Sequence, residues 1–424
     1  MERQIHSELF RITPDGELQE VGYITYQFEP ETFFVGLTNQ AVYAHQAQQM
    51  RHPLSERTGS YWEQHDQLPW WLADSLPSGY MGLPVRRAFG KAWPDVDLSS
   101  NLGAMRYLTD PRFGLDLPGI FLLGRACADA WLQRQQRRTF SIDGEEGRKR
   151  FYPILARRAE RGRQMRAPVS GKSPKFSAVA DGKPHFVKFA RIGSWEGQML
   201  LCETWAMKGM NSIVTAKTDR SVLPSATTEL YESEGYFFLE SERFDRTPEG
   251  GRRGVVSLRA LYDGLVSTRG GEPMDSDHWL GADTPVDSSN LNWSDMARTL
   301  NRKGVIDAKT VVLIEEGFRY GELIRNVDMH AGNLSFMLTD TFPLQLAPFY
   351  DMLPCAYTHG VMQGDLAWSP RAPDEVPVDD LIPRILASAL WSIIRWASAS
   401  ISQPLREAAA RHYQVVNAML KNPT

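Results

Sequence analysis

The chain has 424 residues, 42% of them hydrophobic, with 47 Lys and Arg against 51 Asp and Glu, a formal net charge of −4. That length exceeds one compact core and predicts two or three domains, and the slightly negative balance excludes a global basic field for nucleic acid. Cys127, Cys202 and Cys355 are few, odd in number and far apart, which argues for a reducing compartment and against a disulfide framework or a zinc site.

Residues 1–100 read as a first, β-rich subdomain. Strand-like pieces such as 22–26 and 33–37 are separated by turn residues. Trp70 and Trp71 precede a predicted helix ending near Gly79, where such large aromatics are expected as core anchors. The first residues are polar and carry no signal-peptide pattern. Between Arg134 and Arg166, Arg and Lys recur in three runs, 133–138, 147–150 and 156–163. They are read as a solvated helical face; a patch that grips DNA phosphates or an acidic partner is the competing reading.

Residues 101–246 are expected to hold a nucleotide-binding lobe. Ser170, Gly171, Lys172 and Ser173 lead through Lys175 to Asp181-Gly182-Lys183 and a second strand at 185–189. Small residues let backbone N–H groups approach phosphate, Lys175 adds charge, and Asp-Gly marks a hairpin turn. A nucleotide-binding P-loop is excluded, because its first glycine would fall at position 166, which is Arg. Lys188 on the second strand suits a phosphate contact. Two acids follow on a predicted helix, Glu196 and Glu203, on roughly one face. Either can pair with Lys188, and Glu196 is preferred because it opens the helical pattern. A further strand at 236–239 runs into charge at Glu240, Glu242, Arg243, Asp245 and Arg246, where free backbone groups can bond an adenine edge.

Residues 247–424 are expected to be mainly helical. The stretch 247–307, rich in Gly, Asp, Ser and Pro around 269–292, reads as a long connection without assigned chemistry. Apolar residues at Val311, Ile314 and Phe318 predict a helix over 306–324, and 334–338 reads as a strand. Between them lies Asn326-Val327-Asp328-Met329-His330-Ala331-Gly332-Asn333, and Tyr350-Asp351 follows. Phosphoryl transfer needs this arrangement: Asp328 at the attacking hydroxyl, with the Asn333 amide oxygen and the Asp351 carboxylate for Mg²⁺. The stretch 334–349 is long enough for a hairpin that returns Asp351 beside the other two. Taken alone, the spacing also fits a polar turn between a helix and a strand. After a Pro-rich stretch at 369–377, Ile382, Ile385, Leu386, Ala389, Leu390 and Ile393 mark an amphipathic helix, and 404–420 a final one. The segment 381–397 is broken by Arg384, Ser388, Ser392 and Arg395, so no spanning helix is expected, and the protein is placed in the cytoplasm.

Together these segments resemble the HipA family, the serine/threonine protein kinase toxins of bacterial toxin-antitoxin pairs. The matches fall in family order: Ser-Gly-x-x-Pro-Lys-Phe at 170–176, Val-Lys-Phe at 187–189, Glu-Arg-Phe-Asp-Arg at 242–246, Asn-x-Asp-x-His-x-x-Asn at 326–333 and Leu-Ala-Pro-x-Tyr-Asp at 346–351. Leu76-Pro77-Ser78-Gly79 after His52-Pro53-Leu54-Ser55 is similar to the family's first subdomain, and the stand-alone YjjJ-type branch is the expected placement. The resemblance implies Asp328 as catalytic base, Asn333 and Asp351 as Mg²⁺ ligands, and Lys188 as the ATP-phosphate lysine. Residues 170–175 would cover the phosphates and Glu242, Arg243 and Phe244 would line the adenine site, with His330 and Tyr350 grouped among the nucleotide-binding residues. Autophosphorylation of a serine in the phosphate loop is a family property, and Ser170 and Ser173 are its candidates here. The chain departs from the family at Lys172 and Ser173, at Arg325, and at Gly332, where a lysine is common and would help neutralise the transferring phosphoryl group.

These readings converge on an α+β, two-lobed kinase with a mixed, β-rich N-terminal part and a mainly helical C-terminal lobe. It would transfer the ATP γ-phosphate to a protein serine or threonine, a translation component such as an aminoacyl-tRNA synthetase being the first substrate to try. The implied partners are the protein substrate, an antitoxin, and DNA through the basic segment or an antitoxin complex. The rival reading is a catalytically weak kinase-fold regulator that binds nucleotide, DNA and partners; a small-molecule kinase would share the same catalytic parts.

Overall fold

The computed structural model describes residues 3–37, 62–65, 68–77, 82–136, 141–160, 173–212, 223–266, 291–338, 343–361, 368–371 and 380–421. Strands β1 (Gln4–Ile12), β2 (Leu18–Phe28), β3 (Glu31–Leu37), β4 (Trp62–His65) and β5 (Phe121–Leu123) form one antiparallel sheet in the order β4-β3-β2-β1-β5. Helices α1 (Trp70–Ala73), α2 (Gly82–Ala92), α3 (Asn101–Thr109) and α4 (Arg125–Gln136) belong to the same unit. Side chains alternate across a strand, so Leu9 joins Ile24, Phe33, Met105 and Leu108 on one face. Phe10 and Ile12 join Ala128 and Trp131 of α4 on the other. This corrects the expected first boundary at residue 100: β5 completes the sheet and α3 and α4 cover it, so the unit runs to Gln136.

The second unit is an antiparallel sheet of β6 (Lys175–Ala180), β7 (Lys183–Arg191), β8 (Thr228–Ser233) and β9 (Tyr236–Glu242) in the order β6-β7-β9-β8. Its two hairpins turn on Asp181-Gly182 and Glu234-Gly235, and all four residues have positive φ. This is the two-residue turn whose twist matches paired strands. Phe176, Val187, Phe189, Tyr236 and Phe238 fill one face against Tyr152 and Ala156 of α5 (Gly144–Glu160). The basic run at 147–150 lies on α5 and is largely neutralised. Arg148 is buried, with ion pairs of 2.7 Å to both Glu240 and Asp181, and Arg157 meets Glu234 at 2.5 Å. The solvated-face reading thus holds for its flank, while Arg148 is a core residue.

The C-terminal lobe contains α6 (Trp195–Ser212), which bridges to the second sheet, a small sheet of β10 (Gly254–Ser257), β11 (Ser335–Leu338) and β12 (Gln345–Leu346), and, among the described residues, five further α-helices. These are α7 (Leu258–Leu265), α8 (Trp293–Arg302), α9 (Ala308–Leu323), α10 (Leu381–Trp396) and α11 (Gln403–Lys421). Ser257, Asn292 and Asp307 each cap a helix by accepting a backbone N–H three residues on. The expected structureless connection over 247–307 is corrected in its described parts: β10, α7 and α8 are regular elements with Val256, Leu258, Trp293 and Met296 in the largest core. Residues 267–290 lie outside the described residues. None of the described helices is long and apolar enough to cross a membrane.

Several contacts tie the first unit to the rest, and two of them run through acids of that unit, Asp74 and Asp116. Asp74 accepts from the Ser257 N–H and hydroxyl, both at 2.7 Å. Asp116 accepts from Arg243 and Arg246, each at 3.1 Å, while Asp245 takes a bidentate pair from Arg243.

Candidate active site

The site starts with strand alternation. Val187 and Phe189 point into the aromatic core, so Lys188 points to the opposite face, directly across from Lys175 on β6 and Leu239 on β9. Helix α6 packs against β7 and supplies Glu203, and the β11–β12 hairpin returns the chain so that Asp351 meets them. Lys188 Nζ lies 2.6 Å from Glu203 Oε1 and 2.6 Å from Asp351 Oδ1. Glu203 is 2% exposed, Lys188 12% and Asp351 29%, so the cluster is closed on the helix side and opens toward Asp351.

Two ammonium groups and two carboxylates share this space, and their charges support one another. Burial opposes the charge on Lys188, but Asp351 and Glu203 outweigh it and raise its pKa. Burial also works against ionising Asp351, yet Lys188 and then Lys175 hold its carboxyl below the usual range. Burial pushes the Glu203 carboxyl up, partly offset by Lys188. Lys175 is brought down to about 8, first by burial and then by Lys188, against the pull of Asp351 and Glu203. A lysine with that pKa is still mostly protonated at neutral pH and loses its charge as the pH passes about 8.

The loop after α9 carries the other half. Arg325 turns the chain in the left-handed region, with φ of 63°. The Asp328 N–H then donates to Asn326 Oδ1 at 3.1 Å, and Asn333 Nδ2 donates back to the Asp328 carbonyl at 2.8 Å. That bond fixes the Asn333 amide, and Oδ1 is the atom that could serve a metal. His330 Nδ1 accepts the Gly332 N–H at 3.1 Å, and the His330 carbonyl accepts from Trp293 Nε1 at 3.0 Å. Tyr350 bonds Ser335 Oγ at 2.8 Å and donates to the Gly332 carbonyl at 3.2 Å, tying the loop to the segment that bears Asp351. One amide oxygen and one carboxylate suit Mg²⁺, which keeps waters and takes its remaining ligands from substrate phosphate. Among the described residues no group of three or more His, Cys, Asp or Glu forms a metal cage.

Several expected site residues fall elsewhere. The preferred partner of Lys188, Glu196, is exposed in the first turn of α6; Glu203, two turns further on, is the acid that reaches the lysine. The seven-residue spacing kept both acids near one face, but the axial rise carries only the second into the cluster. The Arg243 side chain is taken up in a buried ion-pair group. Its guanidinium is buried between Asp245 and Asp116 and stacks over Phe186 at 4.3 Å. Glu242 pairs with Lys183 at 3.0 Å, whereas Phe244 packs near Tyr350 with ring centroids 6.1 Å apart. Ser173 is half-buried just before β6; Ser170, Gly171 and Lys172 lie outside the described residues.

A two-lobed α+β fold, with a lysine held between carboxylates across from an Asp-x-x-x-x-Asn loop, defines a protein of the kinase-like class. The chain belongs to the HipA-like family: residues 167–419 match the HipA-like C-terminal domain, and residues 4–132 match the middle domain of YjjJ-like toxins. It is similar to toxin YjjJ of Escherichia coli (strain K12), at 29% identity over 308 residues, which cover 69% of this chain and 61% of that protein. The chain thus spans about three fifths of the length of that relative. In fold it is similar to HipA of Shewanella oneidensis MR-1, solved with HipB and its operator DNA, at a TM-score of 0.57 and 16% identity over 97% of this chain and 96% of that one.

Proposed function

We propose that the chain is an ATP-dependent serine/threonine protein kinase. The observation that carries this reading is Lys188 clamped at 2.6 Å by both Glu203 and Asp351. Such a lysine is extended and oriented to contact ATP phosphates, and its carboxylate neighbour is the one a metal needs. Mg²⁺, when bound, neutralises charge on the transferring phosphoryl group. Asn333 Oδ1 and the Asp351 carboxylate would hold it. Lys175 and Lys188 bind the phosphates, with residues 170–173 covering them. The backbone beside Phe244 borders the adenine. Asp328 orients the acceptor hydroxyl and takes its proton as the oxygen attacks the γ-phosphorus, ADP leaving on the opposite side. With Gly332 in place of a lysine, Lys175 is the supplementary positive charge.

The acceptor we favour is a protein hydroxyl in a translation component. Ser170 or Ser173 of the chain itself is the internal acceptor, which would make the enzyme self-limiting. An antitoxin and operator DNA, as in the Shewanella complex, are the partners to test. Purified chain incubated with Mg²⁺ and γ-labelled ATP should gain phosphate on Ser170 or Ser173 by mass spectrometry. Absence of phosphate on any residue of the chain and on any added protein would leave the nucleotide-binding regulator as the better reading.

A further inference from the structure

Asn326 joins the two catalytic segments, and the proposed mechanism leaves it without a role. It is buried, 5% exposed, and both ends of its amide are engaged. Oδ1 accepts the Asp328 N–H at 3.1 Å and the Cys355 thiol at 3.1 Å. Nδ2 donates to the Asp351 carbonyl at 3.3 Å and faces Met352 Sδ at 3.7 Å. Cys355 closes the ring, because its Sγ also accepts the Val327 N–H at 3.1 Å. Alongside, the Ala356 N–H donates to the Arg325 carbonyl at 3.1 Å.

The backbone in this ring needs holding. Arg325 and Asp351 both sit in the left-handed region, with φ of 63° and 56°, where side-chain-bearing residues are uncommon and persist only when their surroundings fix them. One amide therefore sets the backbone of Asp328 on one side and of Asp351 on the other, and a thiol locks that amide from behind. We propose that Asn326 and Cys355 are positioning residues, a clasp that fixes the base carboxylate relative to the metal-binding carboxylate. This inference rests on the kinase reading above. A displacement near 1 Å between reacting groups costs on the order of 100-fold in rate, so loss of the clasp acts on turnover rather than on nucleotide binding.

The test uses the full chain and four variants. Asn326→Asp keeps an acceptor for the Asp328 N–H but sets an oxygen against the Asp351 carbonyl. Asn326→Ala removes both arms. Cys355→Ala removes the lock, and Cys355→Ser restores a group that both donates and accepts. The expected result is a fall in kcat of about 100-fold for both Asn326 variants and about 10-fold for Cys355→Ala, with KM for ATP and the melting temperature little changed and Cys355→Ser near wild type. Amide hydrogen exchange supplies a readout independent of activity. The peptide containing Val327 and Asp328 should exchange about 10-fold faster in Asn326→Ala, while β7 and α9 keep their protection. Unchanged exchange overturns the clasp, and faster exchange with unchanged kcat overturns its positioning role. Parallel losses of kcat, ATP affinity and melting temperature in every variant, Cys355→Ser included, would reduce it to a folding contact. A wild-type chain that transfers no phosphate overturns the kinase reading instead, and the exchange difference then tells the two failures apart.

Discussion

Replacing Glu203 with Gln is the most informative single change at the lysine cluster, because it tests which acid holds Lys188. The Glu203 carboxylate is 2% exposed and 2.6 Å from the ammonium. At an effective dielectric near 20, a pair at that separation interacts by roughly 6 kcal/mol before desolvation is counted. Gln keeps an acceptor and removes the burial cost of the carboxylate, and Lys188 retains Asp351 as its counter-ion. Removing one partner of a buried pair outright costs about 3–5 kcal/mol, so the amide substitution should cost about 2 kcal/mol. The lysine should then swing toward Asp351 and away from phosphate, with kcat/KM for ATP falling about 30-fold if the same energy is lost from the transition state. Denaturant unfolding and steady-state kinetics measure the two effects. Glu196→Gln is the internal control, an exposed substitution expected within about 0.5 kcal/mol of wild type. A larger effect at Glu196 than at Glu203 would refute the assignment of the pair.

Three further outcomes follow from the same geometry. Lys175 titrates near 8 in the folded chain against an ordinary 10.5, so its buried charge opposes folding below about 8 and that opposition is relieved as the pH rises from about 8 to 10.5. In kcat/KM for ATP the same group should give a fall above about pH 8 that Lys175→Arg abolishes; identical profiles for the two proteins would remove Lys175 from phosphate binding. Gly332→Lys should raise kcat several-fold, on the order of 1 kcal/mol, by returning charge to the loop. Its Cβ would approach the His330 ring at 3.0 Å, and a shift of that ring weakens its bond from the Gly332 N–H, so circular dichroism melting should fall slightly. Asp116→Ala leaves Arg243 and Arg246 with Asp245 as the remaining acid of this group and should cost about 3 kcal/mol in denaturant unfolding, because a buried cation loses its partner.

Much of the fold was legible because its signals are local. The Asp181-Gly182 turn, the alternation of β7, the 3.6-residue pattern of α9 and the return hairpin before Asp351 each depend on neighbouring residues, and all appear as read. What failed depended on distance. Glu196 and Glu203 share a face, and periodicity says nothing about which turn of α6 lies over Lys188. A clue existed: Glu203 interrupts the apolar run from Met199 to Cys202, and an acid in such a place needs a buried cation. Arg243 looked like a site residue because it lies in a family-like motif, yet its side chain is shared between the neighbouring Asp245 and Asp116, which lies 127 residues earlier. The first unit was cut short because β5 is only three residues long and pairs with β1 across more than 100 residues of chain. Asn326 and Cys355 were likewise invisible as a pair, since 29 residues of chain separate them and the backbone beside each site segment bends at positive φ, at Arg325 and Asp351.

In the kinase reading Asp328 serves the chemistry while the lysine cluster serves nucleotide binding, so one variant separates the two. Phosphate transfer and ATP affinity should therefore be measured on the same preparation of Asp328→Asn, using γ-labelled ATP with Mg²⁺ for the first and calorimetric titration for the second. ATP binding should stay within about threefold of wild type while transfer falls by at least about 100-fold, since Asp328 acts on the acceptor hydroxyl. Transfer that persists at the wild-type rate would contradict that reading.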